Sequence, residues 1–327
     1  MCRAADGSGG PLPAADGMTT IGVPKGEVTR GAAAARPRKS RFWYPYLLIA
    51  PTMITLVIVS LIPFLYVLYL SVHEVRYGQV RDFAWFANYE TLLSDLRFWN
   101  SMLVATIFVL IAVPLEFMLG LTGALILNRG IRFRRIIVPF LFIPTMMAPI
   151  VVGLLWKIML AGSWGLISYN LLERFGFFTE ASIFASPNAA LYALILVDVW
   201  QWTPFMMLAF FAGLQSLPVN PYRAAAVDGA NPVQTFFKLT LPMLSPLLAV
   251  IGLLRLIDAL KVFDTIFLLT GGGPGTVTES PSILAYKLVF EYWKVGEASA
   301  LAALVWIWFF LFCSVFYHVA RTRLNAF

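Results

Sequence analysis

Six long apolar stretches constrain the fold of this chain more than any other feature of its sequence. They cover residues 44–72, 102–127, 136–160, 189–214, 243–270 and 298–319. A helix needs about 20 apolar residues to cross the hydrocarbon core of a bilayer, which is roughly 30 Å thick. Only 13% of all residues are charged, against about 25% in soluble proteins, which excludes a soluble enzyme. The sequence predicts an all-α polytopic membrane protein with six transmembrane helices.

The segments outside these stretches differ in character. Residues 1–41 are rich in alanine, glycine, proline and arginine without apolar periodicity, so they can bury little surface and are predicted to be a disordered tail. We expect no cleaved signal peptide, and the first apolar stretch is interpreted as a retained span. Residues 42–327 form the predicted transmembrane domain. Within it, segments 166–175 and 282–293 are short and interrupted by charges, which is typical of helices at the membrane interface.

The distribution of lysine and arginine predicts the orientation. Fifteen of them lie in the two terminal segments and in the connections 128–135 and 218–241, whereas seven lie on the other side. Because cytoplasmic loops carry the excess of Lys and Arg, both termini are predicted to be cytoplasmic. The net charge of +7 then follows from the topology, and membrane lipid is the expected neighbour rather than nucleic acid.

The connection 218–242 has the signals of two short helices joined by a turn. Asparagine precedes proline at 220–221 and again at 231–232, which places a good N-cap before a proline at the first helical position. Gly229 lies where a left-handed residue can end the first helix. Pro242 marks the entry into the fifth span. The sequence therefore predicts a helix, a glycine turn and a second helix joined rigidly to a membrane helix.

One face of the fourth span combines polar and aromatic side chains. Its members, spaced at i, i+3, i+4 and i+7, are Asp198, Gln201, Trp202 and Phe205. A carboxylate and an amide can hydrogen-bond sugar hydroxyls while an aromatic ring covers the apolar face of a pyranose. Packing between membrane helices is the alternative for the two aromatic residues, whereas a carboxylate at membrane depth favours a polar cavity.

The fifth span carries four charges in a three-residue repeat, Arg255, Asp258, Lys261 and Asp264. Each charge at membrane depth costs roughly 3 kcal/mol on insertion scales, so these residues must pair or face a wet interior. Both possibilities are open: pairing suits the outer half, and Arg255 is the better pathway candidate. Glu116 in the second span is another candidate, with a buried interhelical hydrogen bond as the alternative. The predicted substrate-pathway residues are Asp198, Gln201, Trp202, Phe205, Arg255, Asp258 and Glu116.

The sequence contains no motif for ATP hydrolysis or other catalysis. It has no Gly-x-x-x-x-Gly-Lys-Ser/Thr phosphate loop, and no lysine follows the glycine run 271–275. His73 and His318 are isolated, without His-Glu-x-x-His or Gly-x-Ser-x-Gly spacing. The chain is therefore predicted to be a non-enzymatic transport protein. A stand-alone ion-coupled transporter is one alternative, since intramembrane Asp and Lys residues can bind ions or relay protons.

The loop between the fourth and fifth spans resembles the signature of the membrane subunits of bacterial ATP-binding-cassette importers: Glu-Ala-Ala, three residues, Gly, nine residues, Ile-x-Leu-Pro. Arg223 stands in place of the glutamate and Leu239 in place of the isoleucine. The resemblance implies the type I ABC importer permease fold, with this coupling loop docked into a cytoplasmic ATPase. An acidic residue on the ATPase that compensates for Arg223 is a hypothesis. The implied ATPase-coupling residues are Arg223, Ala224, Ala225, Asp228, Gly229, Leu239, Leu241 and Pro242.

Four further segments resemble the carbohydrate-importing branch of this family, the permeases of maltose, trehalose and glycerol-phosphate type. These are residues 86–89, 202–205, 261–264 and 270–274. The resemblance implies a bacterial inner-membrane protein that forms half of a sugar pathway. The implied partners are a second permease, two ABC ATPases and an extracytoplasmic sugar-binding protein. No cofactor is expected on this chain, because ATP and Mg²⁺ would be bound by the ATPase.

Overall fold

The computed structural model describes residues 44–132, 134–161, 165–167, 183–187 and 189–324. The predicted tail 1–41 and most of the predicted interfacial segment 166–175 lie outside the described residues. Residues 1–56 and 57–327 form two compact units, and all sites discussed below lie in the second unit.

The described part of the chain is helical almost throughout. In chain order its elements are α1 (Tyr44–Leu56), a π-helical turn (Val57–Leu61), α2 (Ile62–Ser71), β1 (His73–Arg76), β2 (Gln79–Phe83), α3 (Ala87–Ser94), α4 (Leu96–Asn128), α5 (Arg134–Met146), α6 (Pro149–Met159), a 3₁₀ turn (Ile183–Ala185), α7 (Ala190–Ser216), α8 (Asn220–Val227), α9 (Pro232–Thr235), a π-helical turn (Phe236–Thr240), α10 (Leu241–Leu260), α11 (Asp264–Leu269), α12 (Pro281–Tyr286), a π-helical turn (Lys287–Glu291) and α13 (Val295–Leu324). The two strands pair as an antiparallel hairpin.

Five of the described helical stretches are long and apolar enough to cross a membrane. They are Tyr46–Ser71, Leu96–Asn128, Ala190–Ser216, Pro232–Leu269 and Val295–His318. Helices α5 and α6 add a sixth candidate if the bent pair is one span. The predicted fold class is confirmed, and each predicted apolar stretch falls on helix.

The prediction of a continuous third span over 136–160 is wrong. The axes of α5 and α6 differ by 95° across a short break. Ala148, the residue before Pro149, is extended with φ −61° and ψ 139°, because the proline ring disfavours helical backbone in the residue that precedes it. The apolar composition of this stretch runs on through the break, so hydropathy alone could not reveal it.

The fifth span also differs from the prediction of one helix over 243–270. At its beginning the helix runs without interruption from Pro232 through a π-helical turn into α10. At its other end α10 stops at Leu260, with Lys261 as the C-cap, and α11 begins only at Asp264. The four charges of this span therefore do not lie on a single helix.

Small residues allow the spans of the second unit to pack closely. A Cβ atom on Gly120 in α4 would lie 2.6 Å from Cβ of Met206 in α7, and one on Gly213 would lie 2.1 Å from Leu247 of α10. Membrane helices commonly approach one another at such small residues. These contacts hold α4, α7 and α10 together around a common core that includes Met206, Phe210 and Leu244.

The two ends of these helices carry different structures. At one end, α8 and α9 connect α7 to α10, and we call it the coupling end. At the other end, the β-hairpin and α3 precede α4, and the segment 270–294 joins α11 to α13. We call this the hairpin end. The predicted interfacial helix over 282–293 is found there as α12 and the π-helical turn that follows it.

Candidate functional sites: the coupling turn and the Arg255 cluster

The start of the second short helix agrees with the sequence prediction, but the start of the first does not. Asn231 caps α9: its side chain accepts a hydrogen bond from the backbone N–H of Gln234 at 2.8 Å, and Gln234 accepts one from the backbone of Asn231 at 3.1 Å. This is a complete capping box. Asn220 was predicted as a cap but is itself the first residue of α8, and Val219 takes the cap position without a side-chain hydrogen bond.

The turn between the two helices requires a glycine. Gly229 has φ +74°, in the left-handed region that residues with a Cβ atom disfavour. Its N–H bonds to the carbonyl of Ala226 at 3.3 Å, and the N–H of Ala230 bonds to the carbonyl of Ala225 at 2.9 Å. These two bonds form a Schellman motif, which satisfies the last carbonyls of α8. The predicted glycine turn is confirmed, and we call residues 220–235 the coupling turn.

The predicted coupling residues, in the coupling turn and at the start of α10 after it, fall into an exposed group and a partly buried group. Arg223, Ala224, Asp228 and Gly229 are exposed, whereas Ala225, Leu239, Leu241 and Pro242 are partly buried. Val227, between them, is 87% exposed. The exposed side of the coupling turn therefore presents both charged and apolar side chains.

A hydrogen bond that the sequence did not indicate connects α8 to the base of α10. The hydroxyl of Tyr222 donates to Oγ1 of Thr240 at 3.0 Å, and Thr240 is buried. Because helix continues from Pro232 to Leu260, displacement of α8 can be passed to the membrane part of α10. The two residues are 18 positions apart, outside the range in which helical spacing predicts contact.

Arg255 of α10 binds three carboxylates from three helices. Its Nε and Nη2 donate to Glu116 of α4 at 2.6 and 2.8 Å, its Nη2 also contacts Asp198 of α7, and its Nη1 lies 3.3 Å from Asp258. Glu116, Asp198 and Arg255 are buried, whereas the Asp258 side chain is 45% exposed. We call these four residues the Arg255 cluster. It brings together two predicted pathway residues of α10 and one each of α4 and α7.

The remaining predicted pathway residues lie beside this cluster. The ring of Trp202 lies 5.1 Å from the guanidinium carbon of Arg255, and Phe205 packs edge-on against Trp202. Gln201 is buried; its Nε2 donates to the carbonyl of Met147 at 3.3 Å, while its Oε1 has no partner among the described residues. The site therefore combines an aromatic surface and a partly exposed carboxylate with a buried amide oxygen.

The ion pairs of the fifth span form at Arg255 rather than in its outer half. The sequence suggested pairing in the outer half of the fifth span and a pathway role for Arg255, but Arg255 is the residue that pairs. Lys261 and Asp264 are exposed, and no ion pair involves either of them within the described ranges. The reason is the end of α10 at Leu260, which removes these two residues from the helix that carries Arg255 and Asp258.

Residues 116–323 match the family of binding-protein-dependent transport system inner membrane components. The chain belongs to this family. It is thus a multi-pass membrane permease of the ABC importer type.

Several known proteins are similar to this permease. The trehalose/maltose transport system permease protein MalF of Thermococcus litoralis is 36% identical over 282 residues, covering 85% of this chain and 94% of the relative. The trehalose transport system permease protein SugA of Mycobacterium tuberculosis is 32% identical over 262 residues, covering 80% of this chain and 83% of the relative. A chain from the crystal structure of a bacterial ABC transporter involved in alginate import has a TM-score of 0.71 at 22% identity, covering 86% of this chain and 96% of its own.

The permease has a second buried ion cluster at its hairpin end. Arg97 donates two hydrogen bonds, of 2.6 and 2.7 Å, to the carboxylate of Glu279, and Nζ of Lys287 lies 3.1 Å from the same group. Burial by itself favours the neutral carboxyl, but the hydrogen bonds from Arg97 and Lys287 outweigh it and hold the pKa of Glu279 below its usual value. No sequence pattern predicted this cluster, since Arg97 and Glu279 are 182 residues apart.

Proposed function

We propose that this permease imports a carbohydrate, using ATP hydrolysed by partner subunits. The observation that carries the proposal is a continuous helix from Pro232 to Leu260, which begins in the coupling turn and holds the Arg255 cluster. The trehalose and maltose permeases among its relatives favour a sugar, and a disaccharide, a polyol or a glycerol phosphate all fit the site chemistry.

The proposed orientation has both termini and the coupling turn in the cytoplasm. Fifteen Lys and Arg residues then lie on the cytoplasmic side and seven on the other, in agreement with the positive-inside rule. The hairpin end lies on the outer face, where an extracytoplasmic sugar-binding protein would deliver the substrate.

The proposed energy source is a pair of cytoplasmic ABC ATPases that bind ATP and Mg²⁺. The exposed residues of the coupling turn, Arg223 and Val227 among them, would dock into one ATPase, and a second permease would dock into the other. Because Arg223 is exposed and cationic, an acidic residue of the ATPase would face it. The ion-coupled alternative is not favoured, since the family match and the named relatives are binding-protein-dependent and sugar permeases.

In the proposed pathway, the sugar contacts the accessible side of the Arg255 cluster. Trp202 and Phe205 would cover an apolar sugar face, while the partly exposed carboxylate of Asp258 accepts hydrogen bonds from hydroxyl groups. Glu116 and Asp198 are too deeply buried to be the main contacts. They would instead fix the guanidinium group of Arg255 against Trp202.

Substitution of Gly229 tests the coupling role of the turn. Gly229→Pro cannot adopt φ +74° and should abolish sugar uptake while membrane insertion continues. Gly229→Ala should weaken uptake several-fold through backbone strain alone, because an added Cβ meets no atom within 4 Å. Gly130→Ala is the matched control: Gly130 has φ +81° and open space as well, but lies outside the coupling turn. Normal uptake with Gly229→Pro would contradict the proposal.

Substitution of Asp198 tests the pathway. Asp198→Asn should alter sugar transport, because it removes one charged partner of Arg255, while association with the ATPase stays unchanged. Loss of ATPase binding in this variant would show that the assignment of the site is wrong.

Affinity purification in mild detergent tests the proposed assembly. The permease should co-purify with an ATPase and a second permease, and the complex in liposomes should take up sugar only with ATP and the binding protein. A permease that purifies alone and transports in liposomes without ATP would support the ion-coupled alternative instead.

A further inference from the structure

A polar cavity lies at the hairpin end, well separated in the fold from the Arg255 cluster. It has a volume of about 530 Å³ and is bounded by the β-hairpin, by α3 and by the segment leading into α13. The lining side chains used in this argument are Glu74, Tyr77, Asn88, Tyr292, Trp293 and Glu297. A volume of this size falls in the range of cavities that hold small molecules.

Aromatic residues occupy left-handed turn positions around this cavity. In the described part of the chain, three residues other than glycine have positive φ: Tyr77 at 51°, Trp85 at 50° and Trp293 at 57°. Tyr77 and Trp293 line the cavity, and Trp85 follows Ala84, which also lines it. Glycine or asparagine fits such positions best, whereas a residue with a bulky side chain is disfavoured there. The aromatic rings are thus present despite local backbone strain.

Packing into the core does not offset this strain, because all three rings are exposed. Tyr77 is 79% exposed, Trp85 68% and Trp293 54%. Residues held in strained backbone conformations concentrate at ligand-binding sites. Two of these exposed rings, Tyr77 and Trp293, line the same cavity, which points to a bound partner with apolar faces.

The framework of the cavity is rigid. Asn88 donates hydrogen bonds from Nδ2 to the carbonyls of Ser71 and His73 at 2.8 and 3.0 Å, which fixes its side chain against the hairpin. A Cβ atom on Gly296 would lie 2.7 Å from the carbonyl oxygen of His73, so only glycine allows the start of α13 to approach the hairpin this closely. A cavity held in this way is largely formed before a ligand arrives.

The lining has the chemistry of a carbohydrate site. It combines the exposed rings of Tyr77 and Trp293 with the carboxylates of Glu74 and Glu297. Tyr292 also lines it, with the guanidinium group of Arg97 over its ring at 5.4 Å. Aromatic rings stack on the apolar faces of sugars, while carboxylate and amide oxygens accept hydrogen bonds from hydroxyl groups. The carboxylate of Glu297 is paired with Lys294, 2.9 Å away.

We propose that this cavity is a carbohydrate-binding site on the outer surface of the permease, separate from the membrane pathway. The proposal rests on the proposed function only for the outward orientation of the hairpin end and for the choice of sugars to test. A docking loop of a protein partner and an anchor in lipid headgroups are the other occupants that the experiment must distinguish.

The experiment measures binding of maltose and trehalose to the purified full-length permease in detergent, by saturation-transfer NMR, without a binding protein. Trp293→Gly removes a ring and also relieves its left-handed strain. We expect sugar binding about 3- to 10-fold weaker, the loss typical of one aromatic contact, with a thermal unfolding midpoint that is unchanged or higher. Tyr77→Asn should act in the same direction.

Two control variants separate the cavity from other sites. Trp202→Ala removes an aromatic residue of the membrane pathway, so it should remove only the part of the NMR signal that comes from the pathway, and the part lost with Trp293→Gly should remain. Trp99→Ala removes a ring that is 53% exposed at the same end but does not line the cavity, and it should also bind sugar normally. Reconstitution into lipid vesicles should be equal for Trp99→Ala and Trp293→Gly.

Four outcomes would overturn the proposal. The first two are no binding by the wild type, and loss of binding with Trp202→Ala but not with Trp293→Gly. The third is a reconstitution defect of Trp293→Gly that Trp99→Ala does not share, which indicates lipid anchoring. The fourth is a Trp293→Gly effect seen only when a protein partner is added. The proposed function fails separately, through absence of ATP-driven sugar uptake by the wild-type assembly.

Discussion

The Arg255 cluster in the middle of the spans and the Glu279 cluster at the hairpin end both pair an arginine with a buried carboxylate, but their compositions are opposite. The first has one cation and three carboxylates, contributed by α4, α7 and α10. The second has one carboxylate between two cations, Arg97 and Lys287. In each case a single residue takes part in every ion pair of the cluster.

This difference predicts which substitution destabilises each cluster most. Breaking a buried pair leaves an uncompensated charge in a medium of low dielectric constant, and that cost exceeds the value of the contact itself. Removal of Arg255 leaves Glu116 and Asp198 without their cation. Removal of Arg97 leaves Glu279 with Lys287. The order should reverse for the carboxylates, since Glu279 is the only anion of its cluster.

The largest effect is expected from Arg255→Met. Two buried carboxylates would lose their partner, and we expect a loss of about 3–5 kcal/mol in the free energy of unfolding. Arg97→Met is the matched control, with an expected loss of about 1 kcal/mol, because Arg97 is partly exposed and Lys287 remains. Thermal unfolding in detergent, followed by tryptophan fluorescence, measures both. Equal losses would mean that the carboxylates of α4 and α7 are not buried as described.

The next effect is expected from Glu279→Gln. Arg97 and Lys287 would then face one another without an anion, and the expected loss is about 2–3 kcal/mol. Glu116→Gln should cost only about 1 kcal/mol, because Arg255 keeps Asp198 and Asp258. A larger loss of unfolding free energy for Glu116→Gln than for Glu279→Gln would contradict the comparison. It would show that the numbers of cations and carboxylates in the two clusters do not decide these losses.

Smaller effects are expected from the outermost member of each cluster. Asp258→Asn and Lys287→Met should each cost about 0.5–1 kcal/mol, the range of partly exposed ion pairs. Their effects on transport should differ, because Asp258 lies at the proposed sugar pathway and Lys287 does not. Uptake assays should show a raised KM for Asp258→Asn and an unchanged KM for Lys287→Met. A raised KM in both would place the Glu279 cluster on the pathway.

Local patterns predicted much of this molecule, and contacts between distant segments were missed. The capping box at Asn231 and the turn at Gly229 depend on residues within six positions, so the sequence determines them directly. The break before Pro149 and the end of α10 at Leu260 interrupt apolar composition that continues on both sides. Hydropathy averages over such breaks. A local rule for the residue before proline could have found the first one.

In the candidate site, too, local spacing was predictable and contacts between distant segments were not. The shared helical face groups Asp198, Gln201, Trp202 and Phe205, because helix geometry fixes their spacing, and the structure places Asp198 and Trp202 against Arg255. Whether Arg255 pairs or lines a cavity depends on which side chain α4 places opposite it. Glu116 is 139 residues away in sequence, and the alternative of a buried interhelical bond is the one that the geometry supports. One sequence alone contains no information on that proximity.

The smallest expected effect concerns pH and is confined to the hairpin end. The pKa of Glu279 is held below its ordinary value by Arg97 and Lys287, so its ionised form stabilises the folded state above the unfolded-state pKa, which is about 4.3. As the pH falls through that value towards the folded-state pKa, this contribution is lost. The difference in unfolding midpoint between wild type and Glu279→Gln should therefore be constant from about pH 7 to pH 5 and shrink below about pH 4. A difference that stays constant down to pH 3 would show that the carboxylate of Glu279 does not gain its stability from these two cations.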